Sequence, residues 1–310
     1  MWQGLAGVSA AGLGLAGLLD CRRSMRAARA RLDEVERRSI TTPMGRVEFA
    51  EAGTGPPLLV SHGIFHGADG GLRSMRDLVS DRRVIAPSRF GYLGSSMPGG
   101  ATPALQADAF AALLDRLEVD VVDVVAISAG TGAAAQLATR HPHRVSRLIV
   151  SSGNFPGSPT ADPVPAWGIA LYNDPAMWAL RRLARPFFAR LMGVPDGFPR
   201  TPEERAFIEE MLDSVFPIEP RAEGARFDAT RSNPDITSTP LERITVPTMI
   251  IHARDDPLAS FDAAASAARR VPRAQLIPLE SGGHLQLGQT VTVRAALDAF
   301  LAAPRVRDAL

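Results

Sequence analysis

The chain has 310 residues, 45% of them hydrophobic, which is enough to bury a substantial core in one or two domains. Its 34 basic residues are all arginines, and with 33 acidic residues they give a net charge of +1. A net charge this small provides no general electrostatic attraction to nucleic acid. The lack of lysine excludes Schiff-base chemistry, a Ser-Lys dyad and a Gly-x-x-x-x-Gly-Lys phosphate loop. The single Cys21 cannot form an intrachain disulfide, and no Cys or His cluster has metal-ligand spacing, so we expect no metal and no cofactor.

The N-terminal segment is apolar and then strongly basic. Residues 2–19 carry no charge, and five arginines lie within residues 22–31. A helix over residues 2–19 would reach about 27 Å, close to the hydrocarbon thickness of about 30 Å. The basic residues follow the apolar run, which is the reverse of a secretory signal and favours a cytoplasmic body. We therefore predict a membrane anchor helix at residues 1–21 and an arginine-rich linker or helix at 22–44, with an interfacial helix and a signal peptide as alternatives.

Six short apolar runs alternate with helical patterns along the rest of the chain. This alternation predicts an α/β fold, with a mostly parallel sheet covered by helices on both faces. The runs lie at residues 58–60, 84–86, 121–127, 148–150, 248–251 and 275–279.

The third run ends abruptly at Ser128, and a helical pattern over residues 133–139 follows. Ala126 and Gly130 are small enough to let the backbone turn sharply there, which would present the hydroxyl as a nucleophile. Ser128 could instead only cap the helix. A serine needs a base to take its proton and a third group to orient that base, so nucleophilic catalysis also requires a histidine and an acid.

The base is predicted to be His284, which follows the run at 275–279 in a glycine-rich loop. Loops at strand ends commonly carry catalytic residues. His141 and His143 lie in a polar connection and are predicted to be solvated, whereas His252 ends a strand and is predicted to pack. For the acid, Asp255 and Asp256 both follow the run at 248–251, and either could simply form a turn.

The chain order Ser128, Asp256, His284 resembles that of the α/β-hydrolase family. The family's acid loop typically reads Gly-x-x-Asp-x-x-Val-Pro after a strand, and residues 253–260 match it with Asp256 at the acid. Ala253 and the pair Ala259-Ser260 depart from that pattern, so Asp255 stays as the alternative.

The resemblance extends over residues 45–303 and includes the His-Gly loop after the first predicted strand. It implies an oxyanion hole formed by the backbone N–H groups of Ala129 and Ile64, with Phe65 as the nearest alternative to Ile64. Ser88 stands where the family usually has an aspartate in the turn after the next strand.

The resemblance also implies a division of the chain into a core, residues 45–153 and 242–303, and a helical cap inserted at residues 154–241. Helical patterns lie at 175–191 and 203–216. The insertion holds seven of the thirteen phenylalanines together with Trp167 and Trp178, and as a group these favour an apolar acyl substrate.

These features predict a serine hydrolase that cleaves a carboxylic ester or related acyl bond of a small apolar molecule. Ser128 in the elbow argues against the aspartate-nucleophile haloalkane dehalogenases and epoxide hydrolases. Thioesterase, lactonase, amidase, carbon–carbon hydrolase and perhydrolase activities use the same triad and stay open. The alternative of another class is a noncatalytic module that binds a small ligand.

Overall fold

A computed structural model describes residues 2–303, with side chains from residue 14 onward. Its strands are β1 (Arg38–Thr42), β2 (Gly45–Ala52), β3 (Pro57–Ser61), β4 (Arg83–Pro87), β5 (Val122–Ile127), β6 (Val145–Ser151), β7 (Thr248–Ala253) and β8 (Ala274–Leu279). They form one eight-stranded sheet in the order β1-β2-β4-β3-β5-β6-β7-β8.

The sheet is mostly parallel, as predicted. β2 pairs antiparallel with β1 and β4, and all pairings from β4 through β3 to β8 are parallel. The six predicted runs are β3 to β8. The sequence runs did not mark the β1–β2 hairpin, because β1 is largely exposed and its polar residues carry little apolar signal.

The helices are α1 (Trp2–Asp33), α2 (Ala68–Met75), α3 (Pro103–Arg116), α4 (Thr131–Arg140), α5 (Ala166–Ile169), α6 (Asp174–Leu183), α7 (Arg185–Leu191), α8 (Pro202–Ser214), α9 (Ala222–Phe227), α10 (Phe261–Arg270) and α11 (Thr290–Ala302). Helices α5 to α9 belong to the segment between β6 and β7, residues 152–247, which we call the insert. The helix predicted over 175–191 is two helices, α6 and α7, because Pro186 lacks an N–H and its ring would collide with the preceding turn.

Helices cover both faces of the sheet. Phe110 of α3, Ala134 of α4 and Ala264 of α10 belong to one buried cluster with the strands. Met75 of α2 and Leu297 of α11 belong to the cluster on the other face. The carboxyl ends of the parallel strands are therefore left for loops, the place where α/β folds hold their ligands.

The second half of α1 packs on the insert. Cys21, Met25 and Ala28, at spacings of four and three residues, are buried in one cluster with Met177 and Phe188. Two ion pairs join the same elements, Arg182–Asp20 at 3.0 Å and Arg29–Asp174 at 3.4 Å. The first part of the arginine-rich segment predicted at 22–44 thus belongs to α1, which ends at Asp33 and packs on the insert.

We predicted a transmembrane helix over residues 2–19. No helix, as far as its residues are described, combines the length and apolar character needed to cross a bilayer. Most of the predicted span, residues 2–13, lies where side chains are not described. The prediction therefore has no support from the structure.

Candidate active site

Strand β5 leads directly into the turn that carries Ser128. Ser128 has φ +50°, a left-handed conformation that is uncommon outside glycine, and it begins a short 3-10 turn before α4. A Cβ on Gly130 would lie only 2.1 Å from the carbonyl oxygen of Ser61 on β3, so glycine is required for this close approach. The sharp turn predicted at Ser128 is present and holds its side chain beyond the end of β5.

Three side chains from three different strand ends form one hydrogen-bonded chain. His284 Nε2 lies 2.8 Å from Ser128 Oγ, and His284 Nδ1 lies 2.8 Å from Asp256 Oδ2. An ionised carboxylate only accepts hydrogen bonds, so Nδ1 carries the ring proton and Nε2 is free to accept one from Ser128. In the sequence, Ser128 lies 156 positions from His284 and Asp256 lies 28 positions from it. The fold brings all three side chains into contact.

The Asp256 carboxylate is fully buried and held on its other side by the backbone. Its Oδ1 accepts hydrogen bonds from the N–H groups of Leu258 at 2.8 Å and Ala259 at 2.9 Å. Burial by itself would raise the pKa of Asp256, but the electrostatic interaction with the His284 ring and the hydrogen bonds from His252, His284 and Ala259 hold it well below its usual range. Asp256 is therefore a permanent anion beside the imidazole.

Asp255 has a different role from Asp256, because it binds backbone groups of the loop that carries His284. Its two carboxylate oxygens accept hydrogen bonds from the backbone N–H of Gly282 at 3.1 Å and of Gly283 at 2.8 Å. These glycines directly precede His284. Of the two candidate acids, Asp256 contacts the ring of His284, and Asp255 holds the loop that carries it.

His252, predicted to pack, is fully buried but also contacts the acid. Its Nε2 lies 3.0 Å from the carbonyl of Ala259 and 3.3 Å from Asp256 Oδ2. A carbonyl can only accept, so Nε2 carries the proton and donates. We did not predict this contact, although the spacing of four residues between His252 and Asp256 was visible in the sequence.

The loop after β3 is organised by His62. The ring is buried, its Nε2 accepts a hydrogen bond from the backbone N–H of Arg89 at 3.0 Å, and its Nδ1 lies 2.8 Å from the carbonyl of Gly63. A backbone N–H can only donate, so Nδ1 carries the proton. Burial, reinforced by the Arg89 charge, lowers the pKa of His62 well below its ordinary value and keeps the ring neutral.

Two buried arginine–carboxylate pairs tie the insert to the loops around this site. Arg89 binds Asp228 of the insert at 2.6 and 2.5 Å, and Tyr92 donates to the same carboxylate at 2.5 Å. Arg221 of the insert binds Asp69 with both nitrogens at 2.9 Å. An arginine and a carboxylate joined by two parallel hydrogen bonds have a defined relative orientation. The two pairs therefore hold this part of the insert in a defined position on the core.

A cavity of about 360 Å³ lies over Ser128, and we call it the serine chamber. The core contributes the side of the chamber that contains the predicted backbone donors Ile64 and Ala129, together with Phe65. Phe65 has φ +59°, so the loop turns sharply there. The insert contributes a mainly apolar wall, with side chains that include Tyr172, Leu191, Met192, Met211 and Val215.

The aromatic residues of the insert do not line this chamber as a group. Trp167 is 73% exposed, and Trp178 packs in the cluster beside α1. Met192 and Met211 do line it, whereas Met177 is buried in the insert's own core. The apolar character of the chamber thus comes from aliphatic and methionine side chains more than from the tryptophans.

No cluster of three or more His, Cys, Asp or Glu side chains that could hold a metal ion occurs in the part of the chain that the structure describes.

The eight-stranded sheet with its serine turn and histidine loop defines the α/β class of hydrolases. The chain belongs to the α/β-hydrolase fold family, whose sequence profile matches residues 56–289. It is 31% identical over 247 residues to a 2-hydroxymuconate semialdehyde hydrolase from Pseudomonas putida, covering 77% of this chain and 84% of that protein.

Solved structures show the same architecture. An α/β hydrolase fold protein from Nakamurella multipartita has a TM-score of 0.72 and 27% identity, covering 86% of this chain and 99% of that one. A thermophilic esterase from Thermogutta terrifontis has a TM-score of 0.63 and 23% identity, covering 86% and 98%, and this similarity shows the shared fold alone.

Proposed function

We propose that this hydrolase cleaves an ester or related acyl bond of a small, largely apolar molecule through an acyl-enzyme on Ser128. The observation that carries the proposal is the continuous chain from Ser128 Oγ through His284 to Asp256, with both contacts at 2.8 Å. It opens into an apolar chamber, and its volume of about 360 Å³ lies within the ordinary range for small-molecule sites, about 300–1,000 Å³.

In the first half of the reaction, His284 Nε2 takes the proton from Ser128 as Oγ attacks the carbonyl carbon. The tetrahedral intermediate collapses when the bond to the leaving group breaks, and His284 gives its proton to that group. Water then attacks the acyl-enzyme with His284 again as base, which releases the acid and restores the Ser128 hydroxyl. Asp256 holds the ring tautomer and stabilises the imidazolium.

The negative charge of the intermediate needs donors on the other side of the carbonyl. We assign this role to the backbone N–H groups of Ala129 and Ile64. Both residues line the serine chamber next to Ser128. Preorganised donors of this kind typically contribute a factor of roughly 10²–10³ each to turnover.

The insert acts in this proposal as a cap that selects the substrate. It supplies most of the apolar lining together with the polar residues Thr160, Asp162 and Asn233, while the catalytic side chains come from the core. Burial of methyl and methylene groups against that wall favours hydrophobic acyl compounds over sugars or phosphates.

Hydrolysis of a carbon–carbon bond next to a ketone is the second candidate. It is favoured by the 31% identity to a 2-hydroxymuconate semialdehyde hydrolase over 77% of this chain. In this reaction the bond between the carbonyl carbon and its neighbour breaks, the departing carbon keeps the electron pair and takes a proton, and water completes the acid. The same nucleophile and base serve both reactions.

The first experiment is labelling of the purified protein with a fluorophosphonate probe, followed by mapping of the modified peptide. We expect labelling at Ser128 that is lost in His284→Ala and retained in His143→Ala, because His143 lies in an exposed loop. Folded wild-type protein that takes no label would overturn the proposal and favour a noncatalytic ligand-binding module.

The second experiment separates the two reactions. We would compare kcat/KM for a phenyl ester with that for a 2-hydroxy-6-oxo-dienoate carrying the same acyl group. Activity on the ester alone supports acyl-ester hydrolysis, whereas a preference for the dienoate supports carbon–carbon cleavage. Ser128→Ala must abolish either activity.

A further inference from the structure

A second cavity adjoins the serine chamber. It has a volume of about 190 Å³ and extends from His284 to the side chains of α2, and we call it the side chamber. The two cavities share a group of residues around the reacting atoms. The shared residues are Gly63, His66, Ile127, Met211, His284 and Leu285. Both cavities therefore reach the catalytic His284.

The side chamber is lined by arginine side chains, and the serine chamber is not. Arg73 and Arg76 of α2 line it together with Asp77 and Glu210. Its volume lies below the range of a complete small-molecule site, about 300–1,000 Å³, so it is suited to one end of a ligand. The part of a ligand that binds there must be polar or charged.

Arg76 engages both of the acids in this chamber. It binds Glu210 at 3.1 and 3.4 Å and Asp77 at 3.3 Å. Among the described residues, the side chain of Arg73 forms a hydrogen bond only with Glu210, at 3.5 Å, the outer limit of such a bond. Arg76 thus holds both acids more closely than Arg73 does, and Arg73 keeps most of its donors.

The Nε atom of Arg73 is buried and has no hydrogen-bond partner. The side chain as a whole is 25% exposed, so its outer nitrogens remain accessible from the cavity that it lines. Buried donors are almost always satisfied, and one that is not calls for an explanation. A guanidinium always carries its charge and fits a carboxylate with two parallel hydrogen bonds. Because Arg73 lines the side chamber and keeps donors free, an anion with two oxygens is the chemistry that suits it.

We propose that the side chamber binds a carboxylate at one end of the substrate, with Arg73 as the residue that recognises it. This inference rests on the proposed function, because it places the scissile carbonyl at Ser128 between an apolar group and this carboxylate. The preferred substrate is then an anionic acyl compound, and its neutral counterpart is a poorer one.

The test compares phenyl butyrate with two anionic esters, the monophenyl ester of succinate and 4-carboxyphenyl butyrate. These place the carboxylate on the acyl side and on the leaving side, respectively. The wild type should prefer at least one of them over phenyl butyrate. In Arg73→Met, the ratio of kcat/KM for that ester to kcat/KM for phenyl butyrate should fall about tenfold or more, the usual loss for one charge-assisted hydrogen bond. Arg73→Lys should recover part of the ratio.

Arg116→Met is the matched control, because Arg116 is exposed on α3 and lines neither chamber. It should leave the ratio and the activity unchanged. A wild type that prefers phenyl butyrate to both anionic esters overturns the inference without any variant. So does an active Arg73→Met with the wild-type ratio, and either result leaves the proposed hydrolysis intact. Failure of the proposed function shows itself separately, as absence of fluorophosphonate labelling at Ser128.

Discussion

His62 Nδ1 donates a hydrogen bond of 2.8 Å to the carbonyl oxygen of Gly63, the residue that follows it in the chain. The peptide bond between Gly63 and Ile64 is planar and trans, so its N–H points opposite to its carbonyl. The bond from His62 thereby sets the direction of the Ile64 N–H, the donor that we assign to the oxyanion. The backbone N–H of Arg89 holds the other ring nitrogen at 3.0 Å and keeps the ring in place.

Replacing His62 should therefore slow turnover without a matching loss of substrate binding. We expect His62→Gln to lower kcat by up to roughly 10²-fold, the value of one oxyanion donor, with a smaller change in KM. His62→Asn should be less impaired, because its amide nitrogen can take the place of Nδ1. The measurement is steady-state kinetics on an ester together with the affinity for a phosphonate transition-state analogue. Equal kcat losses in both variants, with unchanged analogue affinity, would show a purely structural role.

Replacement of Asp256 and replacement of Asp255 should have clearly different effects on kcat. Asp256→Asn removes the charge that stabilises the imidazolium and disturbs the ring tautomer, so kcat should fall roughly 10³–10⁴-fold. Asp255→Asn weakens the hold on Gly282 and Gly283 and should mainly lower the thermal midpoint, with a much smaller effect on kcat. Steady-state kinetics and thermal unfolding of both variants check this. A larger kcat loss in Asp255→Asn would reverse the assignment.

Acid should destabilise the protein through His66, a half-buried residue in the loop after β3. Burial, opposed by Asp69 and reinforced by Arg221, lowers the pKa of His66 from 6.5 to about 4. Between these values the unfolded chain binds a proton that the native state does not, so the stabilisation is complete above pH 6.5 and is lost as the pH falls to about 4. The difference corresponds to about 3 kcal/mol of unfolding free energy.

Urea unfolding across this pH window measures the effect. In His66→Asn the loss of stability between pH 6.5 and 4 should be smaller than in the wild type by about that amount. The exposed His143→Asn should keep the wild-type slope. Buried His62 contributes to the slope in both proteins, because burial lowers its pKa in the same direction. Parallel curves for wild type and His66→Asn would refute the assignment.

The close contact below the serine turn predicts a strong effect at Gly130. A Cβ there would meet the Ser61 carbonyl at 2.1 Å, so Gly130→Ala must displace β3 or the turn. We expect a loss of about 3 kcal/mol in unfolding free energy and loss of fluorophosphonate labelling. Gly99→Ala is the matched control, because nothing lies within 4 Å of its Cβ position. Wild-type labelling by Gly130→Ala would show that the turn is not constrained in this way.

Local patterns in the sequence predicted the strands, turns and loops, because these features depend on residues that are close together along the chain. The β-branched run before Ser128 predicted β5 and the sharp turn, and the other apolar runs predicted the parallel strands. The glycine-rich segment before His284 and the two aspartates after the run at 248–251 predicted loops at strand ends. Each of these features is visible within about ten residues, which is why one sequence was sufficient.

The family's loop pattern favoured Asp256 and left Asp255 as the alternative, because adjacent residues share a loop and only the folded backbone decides which side chain faces His284. The same holds for His62 and His252, whose partners are backbone groups without any sequence signature. The packing of α1 on the insert and the position of Trp167 at the surface also depend on contacts between distant segments. The sequence by itself determined the strands, the turn and the residue types available for chemistry. Only the tertiary structure decided their pairing, because hydrogen bonds at 2.8 Å depend on how distant strand ends are brought together.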